Sequence, residues 1–254
     1  MNDKVLGLVL KESEYRENDA LLTVLTKEYG KLTFTARGVK KMTSKSATSC
    51  MPYVLSEFVF DYVEDKSMFT IKNASIKTSN RFLQENLEKM NIAAIFSEIV
   101  DKSLPQGVLD EDVNDAYFDL LVFCLDKLNQ EKEHALILCL FLAQMLNYLG
   151  IPPVVDECVL CGNTKVNRIS IEEGGFICSD CLSEISNNNE TQMDLKRFRL
   201  INKAGIENYD ILKNYGPWSF NDCAAMFEFL HVHSGIDSTA WKFLKEIVEV
   251  KNEK

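Results

Sequence analysis

The period of the hydrophobic pattern changes once along this 254-residue chain, near Thr78, and that change constrains the fold more than any other feature. Before it, apolar residues alternate, as strands with one buried face require. Runs over 5–10, 20–26, 32–37, 53–63 and 69–76 read as five strands, with a turn at Glu28-Tyr29-Gly30-Lys31 between the second and third. Short antiparallel strands packed this densely suggest a small closed barrel. The oligonucleotide-binding (OB) fold is the leading expectation and an SH3-like barrel the alternative. Residues 38–52, between the third and fourth strands, are polar and basic.

After Thr78 the period becomes 3.6. Leu83, Leu87, Met90, Ala94, Ile95 and Ile99 line one face of a helix that ends near Pro105. A second helix is predicted over 112–129 with Asp112 as N-cap, and a third over 133–149. The third is nearly all apolar, which places it at the centre of a bundle. Gly150 fits its C-cap, and Pro152-Pro153 forbids continuation. Further helices are predicted over 193–203, 221–232 and 238–250, with a polar linker at Ser186-Asn187-Asn188-Asn189 and a connector around Tyr215-Gly216-Pro217. The expected class is therefore α+β. An N-terminal five-stranded OB-like β-barrel (1–79) is followed by an all-α helical domain (80–155 and 186–254) with an inserted four-cysteine zinc module (156–185). The helices flanking the insertion are expected to pack as one bundle.

The insertion is read from Cys158-Val159-Leu160-Cys161 and Cys178-Ser179-Asp180-Cys181. Two intervening residues let a chain turn and aim both sulfurs of a pair at one point. Two such pairs supply the four thiolates of a closed tetrahedral zinc site. Gly162 and Asn163 after the first pair, and Gly174-Gly175 before the second, are the permissive residues that tight knuckles need. One structural zinc is the expectation, with four buried thiols or two disulfides as alternatives. Cys50, Cys124, Cys139 and Cys223 lie among apolar neighbours and read as small buried hydrophobes. Met1-Asn2-Asp3-Lys4 is polar and no secretory h-region follows it. The longest apolar run, 135–146, is broken by Gln144 and is too short to span a bilayer. The expectation is a cytoplasmic protein without membrane contact, in a reducing compartment where zinc is favoured over disulfides.

The net charge of −10 argues against a surface that coats nucleic acid nonspecifically. The charge is uneven, however. Residues 1–80 hold 12 Lys/Arg against 10 Asp/Glu, and the rest of the chain 16 against 28. Within 27–50 lie Lys27, Lys31, Arg37, Lys40, Lys41 and Lys45 against the single acid Glu28. A polyanion is expected to meet the chain there, with phosphates on the cations. The rings that could stack bases, Tyr29, Phe34, Tyr53, Phe58, Phe60 and Tyr62, lie nearby in sequence, but most of them are expected to fill the barrel core.

No catalytic constellation is legible. Four thiolates fill a tetrahedron and leave no open position for substrate. No histidine is followed by x-Glu, as a zinc deaminase would require. His231 and His233, two apart on a helix, diverge by about 200°. Neither a GxxxxGK phosphate loop nor a G-x-S-x-G elbow is present. No enzymatic activity is expected.

The succession Tyr15-x-Glu17-Asn18-Asp19, Leu21-Leu22-Thr23, Tyr29-Gly30-Lys31, Ala36-Arg37-Gly38-Val39-Lys40-Lys41 and Pro52 resembles the N-terminal domain of the bacterial recombination mediator RecO family. The likeness continues through Leu149-Gly150-Ile151-Pro152-Pro153, Gly174-Gly175 and Phe229-Leu230-x-x-His233-x-Gly235, and so covers essentially the whole chain in order. The resemblance implies an OB barrel, a helical domain and a zinc-binding insertion. It further implies a cytoplasmic, bacterial mediator without enzymatic turnover. Such a mediator binds single- and double-stranded DNA, works with RecR and RecF, engages SSB, anneals strands and helps RecA load onto SSB-coated DNA. Carried onto this chain, Arg37, Lys40 and Lys41 are the phosphate contacts, with Lys31 and Lys45 as lesser candidates. The family is commonly basic after His-x-Gly, whereas this chain has Gly235-Ile236-Asp237-Ser238-Thr239-Ala240-Trp241. DNA contact is accordingly expected on the barrel, with the acidic remainder left to protein partners. The alternative from another class is a zinc-containing protein-interaction adaptor that does not bind DNA directly.

Overall fold

The computed structural model describes residues 3–64, 66, 68–107, 110–182 and 193–252. The expected linker at 186–189 and the end of the expected module, 183–185, lie outside the described residues. The chain groups into two compact units, Met1–Gln130 with Ser238–Lys254, and Glu131–Asp237.

In the first unit, β1 (Asp3–Glu14), β2 (Ala20–Thr26), β3 (Gly30–Ala36), β4 (Leu55–Phe60), β5 (Met68–Thr70) and β6 (Asn73–Thr78) form one sheet of order β5-β3-β2-β1-β4-β6. The run read from sequence as a fifth strand is thus two. β5 pairs in parallel with β3, and β6 pairs antiparallel with β4, on opposite edges of the sheet. The Ile71 N–H donates to the Thr35 carbonyl beside β5 at 3.1 Å, and the Lys72 N–H donates to Val59 of β4 at 2.8 Å. Consecutive residues therefore bridge both edges and curl the sheet onto itself as a half-barrel, whose end strands β5 and β6 do not pair with each other. Alternation alone shows no break here, because the change of partner flips the hydrogen-bonding direction without interrupting the extended chain.

Side chains fill the interior tightly. A Cβ on Gly7 would lie 2.6 Å from Val24 Cγ1 and 3.1 Å from Phe58 Cδ2, so β1 crosses the barrel where no side chain fits. Val5, Val9, Leu22, Val24, Phe34, Phe58, Phe60 and Phe69 form the core, and Tyr29 and Tyr62 stack at its margin with centroids 4.4 Å apart. Each such ring stabilises the barrel by about 1.5–3 kcal/mol through burial. Of the rings near the basic loop in sequence, Phe34, Phe58 and Phe60 fill the core, as expected, and Tyr29, Tyr53 and Tyr62 are half-buried.

Helices α1 (Arg81–Gln84), α2 (Leu87–Ser103) and α3 (Glu111–Gln130) complete this unit with α9 (Thr239–Asn252). The single helix expected from Leu83 onward breaks at Asn86, whose side chain accepts the Lys89 N–H at 3.0 Å and caps α2. The restart rotates the apolar stripe. Leu87 and Met90, expected inside, are 54% and 40% exposed, while Ile92, Phe96 and Val100 join Ile95 and Ile99 in the core. At α3, Asp110 rather than Asp112 accepts the first free N–H, that of Asp112 at 3.1 Å. Glu98 on α2 accepts from the Ser238 hydroxyl at 2.7 Å and the Thr239 N–H at 2.9 Å, which ties α9 to α2. α9 therefore belongs to this unit, apart from the other helices that follow the cysteines.

The second unit is built on α4 (His134–Tyr148), in which every residue from Ala135 to Leu146 is buried. The cysteine segment follows, with β7 (Arg168–Ser170), β8 (Gly175–Ile177) and α5 (Ser179–Leu182), then α6 (Leu195–Lys203), α7 (Tyr209–Lys213) and α8 (Phe220–Ser234). α4 packs against α6 and α8, the helices beyond the insertion, and buried Gln144 donates to the Ala204 carbonyl at 2.7 Å. Among the described residues, no helix is long and apolar enough to cross a membrane.

Candidate metal centre and nucleic-acid interface

The first cysteine knuckle is closed at both ends. The Cys158 N–H donates to the Asn163 carbonyl and the Gly162 N–H to the Cys158 carbonyl, each at 2.8 Å. Gly162 sits at φ +72°, a conformation that glycine adopts without steric cost. The second knuckle follows β8, which pairs with β7 in the register Arg168↔Ile177, Ile169↔Phe176 and Ser170↔Gly175. Val159 donates its N–H to Phe176 at 2.9 Å and Asn167 to Ile177 at 3.0 Å, locking one knuckle against the other.

The result is that the sulfurs of Cys158, Cys161, Cys178 and Cys181 all lie within 4.8 Å of one another. A tetrahedral site with metal–sulfur bonds of about 2.3 Å has sulfur–sulfur edges of about 3.8 Å. The Cys161–Cys178 separation is 3.6 Å, so the donor set fits a metal ion with little adjustment. Burial raises the Cys158 thiol, but the backbone N–H groups of Cys178, Cys161 and Leu160 outweigh it and bring it down to about 6. Cys181 is pushed up by hydrogen bonding with the Cys161 and Cys178 thiols. One sulfur therefore ionises readily and a second ionises against it, and a cation at the centre removes that conflict.

Two contacts fasten this segment within its unit. The Val154 N–H donates to Gly174 at 2.9 Å and the Phe176 N–H donates back to Val154 at 2.8 Å. A Cβ on Gly175 would stand 2.7 Å from the Val154 nitrogen, so the strap after Pro152-Pro153 needs glycine opposite it. From α8, His233 presents Nε2 to the Ile171 carbonyl at 2.6 Å, and its ring lies 4.5 Å from that of Phe229. The carbonyl selects the tautomer with the proton on Nε2. His233 thus anchors the β7–β8 hairpin. His231 instead faces the Ile236 carbonyl, and the two histidines do not meet.

The basic loop is held differently. The β2–β3 register pairs Ala20 with Ala36, which brings the residues before β2 beside those after β3. Asp19 Oδ1 accepts the Gly38 N–H at 2.8 Å, and the Asn18 carbonyl accepts that of Lys40 at 3.1 Å. Successive turns follow, Lys41 N–H to Gly38 and Ser44 N–H to Lys41. Arg37, Lys40, Lys41 and Lys45 are exposed on this ordered loop. The Lys40 ammonium lies 3.8 Å from the fully solvated Glu14 carboxylate, a contact worth little.

Lys31 is not part of this surface. It is 5% exposed, and its ammonium binds Asp101 at the main-chain carbonyl and, at 2.8 Å, at Oδ1. The sequence placed it among the cations, but tertiary cover from α2 takes it away. Conversely, Arg16, Asn18 and Asp19 join Arg37, Gly38 and Lys41 around a shallow concavity. The Glu17-Asn18-Asp19 run was the available signal, and it carried a family likeness without a stated role.

Comparison with known proteins places these features in one family. The recombination protein O N-terminal model matches residues 1–80, and the recombination protein O C-terminal model matches 84–209, which includes all four cysteines of the cluster. The DNA repair protein RecO of Bacillus pumilus is 31% identical over 179 residues, covering 70% of this chain and 68% of that protein. That of Exiguobacterium sp. is 32% identical over 180 residues, with 70% of each chain covered. That of Alkaliphilus metalliredigens is 31% identical over 181 residues, covering 70% of this chain and 71% of the relative. The chain belongs to the RecO family of DNA repair proteins.

Proposed function

We propose that this chain is a DNA-binding recombination mediator. It anneals strands and, together with RecR and RecF, helps load RecA onto SSB-coated single-stranded DNA. The observation that carries the reading is the ordered loop bearing Arg37, Lys40, Lys41 and Lys45, exposed on a barrel whose chain is otherwise acidic. Tethers at the Gly38 and Lys40 backbone N–H groups leave the cationic side chains exposed, and the weak Lys40–Glu14 contact can give way to phosphates. Confining DNA to the barrel leaves the acidic remainder for protein partners. The metal is proposed to be a single zinc ion with a structural role, because an all-thiolate tetrahedron suits zinc and offers no open position. Such an ion would hold the two knuckles together and take no part in turnover.

The test is a salt titration of oligonucleotide binding, combined with annealing of SSB-coated complementary strands. Each lost phosphate contact should lower the log–log salt slope by roughly 0.7 on single strands. Replacing Arg37, Lys40 and Lys41 by Ala should therefore weaken binding and flatten the slope, and should slow annealing. Unchanged affinity and slope would return the chain to the adaptor reading.

A further inference from the structure

Resting on that reading, we propose that Tyr15 is a base-stacking platform that gives the barrel a preference for unpaired bases over duplex. Single-strand binding needs cations for the phosphates and aromatic faces for the bases. Most of the barrel's rings are committed elsewhere. Phe34, Phe58, Phe60 and Phe69 are core, and Tyr29 and Tyr62 stack on one another at its margin. Among the described residues of the barrel, Tyr15 is the one aromatic side chain that is exposed, at 42%.

Its position matches the cations. Tyr15 follows the end of β1, one residue before the Arg16–Asp19 stretch that lines the concavity with Arg37 and Lys41. The Arg16 guanidinium carbon lies 5.0 Å from the Tyr15 ring centroid, which steadies the ring and places a positive charge beside any base stacked on it. The backbone that follows is fixed in turn by the Asp19–Gly38 and Asn18–Lys40 hydrogen bonds.

The alternative route for a strand is closed by the chain itself. OB barrels commonly bind across the second and third strands. Here the Lys31 carbonyl accepts the Gly107 N–H at 2.8 Å, and the Lys31 ammonium is held by Asp101. The Thr33 hydroxyl contacts Gln106, and the Asn114 amide donates to the Thr26 carbonyl at 3.1 Å. The end of α2 and the residues after it cover the start of β3, and the start of α3 covers the end of β2, whereas the loop bearing Arg37 and Lys41 borders an open concavity. A duplex offers phosphates to the cations there but no base face to Tyr15.

The experiment compares Tyr15→Ala, Tyr15→Phe and Tyr15→Trp in the full chain, using labelled oligothymidylate and a duplex of the same length. Tyr15→Ala should lose at least about fivefold in single-strand affinity, with duplex affinity and both salt slopes unchanged. Tyr15→Phe should bind like wild type. In Tyr15→Trp, oligothymidylate should produce a quenching of tryptophan fluorescence that wild type does not show, because Trp218 and Trp241 are buried. Single-strand and duplex affinities unchanged in Tyr15→Ala, or weakened equally, would overturn the proposal. In that case the DNA-binding reading survives provided the Arg37, Lys40 and Lys41 replacements still flatten the slope. If wild type binds neither probe, both readings fall together.

Discussion

The cysteine cluster and the basic loop are built with the same local devices and reach opposite ends. Each is a loop turned at a positive-φ glycine, Gly162 in one and Gly38 in the other, and each is pinned by backbone hydrogen bonds. In the cluster the pinned side chains converge, four sulfurs within 4.8 Å. In the loop they do not meet at one point: Arg37, Lys40, Lys41 and Lys45 stand exposed to solvent, with Arg37 and Lys41 on the rim of an open concavity. Convergence of like charge is unfavourable until a cation occupies the centre, so a metal bound there would couple to folding. Exposure to solvent costs little in the free protein and becomes favourable only along an extended polyanion. The tethers teach which is which. On the proposed reading, the gathered side chains serve the structure and the solvent-exposed cations serve a partner.

The largest effect should come from breaking convergence. Removing one ligand with Cys178→Ala leaves three thiols that cannot complete the tetrahedron. Metal measured by atomic emission should be lost, and amide exchange should rise across 158–182. Structural zinc contributes on the order of 10–16 kcal/mol in small zinc-finger peptides, more than a hairpin this short can replace. Oligonucleotide affinity should change far less, because the basic loop belongs to the other compact unit. Retention of a full metal complement by the variant would show that the four sulfurs do not act as one site.

A smaller effect separates Lys31 from the other cations. Its side chain is 6% exposed and that of its partner Asp101 32%. Breaking a buried pair costs about 3–5 kcal/mol, and solvent screening at Asp101 reduces this to roughly 2 kcal/mol. Lys31→Met should lower the urea midpoint accordingly and leave the salt slope of DNA binding untouched. A flattened slope with unchanged stability would put Lys31 back among the phosphate contacts.

What the sequence made legible follows the reach of each interaction along the chain. The Cys158–Cys161 and Cys178–Cys181 pairs were readable because a two-residue turn aims both sulfurs of a pair, whatever surrounds it. The barrel strands were readable from alternation, and α4 from its unbroken apolar composition. The division of the last strand at Ile71 and Lys72 was not, because it consists of a change of partner in a chain that stays extended. Lys31 was misplaced for a related reason. Its neighbours in sequence are cationic, but its neighbour in space is Asp101, seventy residues away. The link from Asp19 to Gly38 depends on the β2–β3 register, which the alternating pattern leaves open by any even shift.

That link yields the smallest effect and the sharpest sign. Asp19 carries a negative charge beside Arg37 and Lys41, so on charge alone its removal should strengthen DNA binding. As the acceptor for Gly38 it has the opposite effect, because without it the loop loses the tether that presents those cations. Leaving one N–H without its acceptor costs about 1 kcal/mol, or roughly fivefold in the population of the competent loop. Asp19→Ala removes charge and tether together, whereas Asp19→Asn removes the charge and keeps a carbonyl for Gly38. If the tether governs presentation, the Ala variant should bind oligonucleotides more weakly than wild type and the Asn variant at least as tightly. If both variants bind more tightly, the loop needs no anchor, and the contrast between a pinned site and a solvated run of cations disappears.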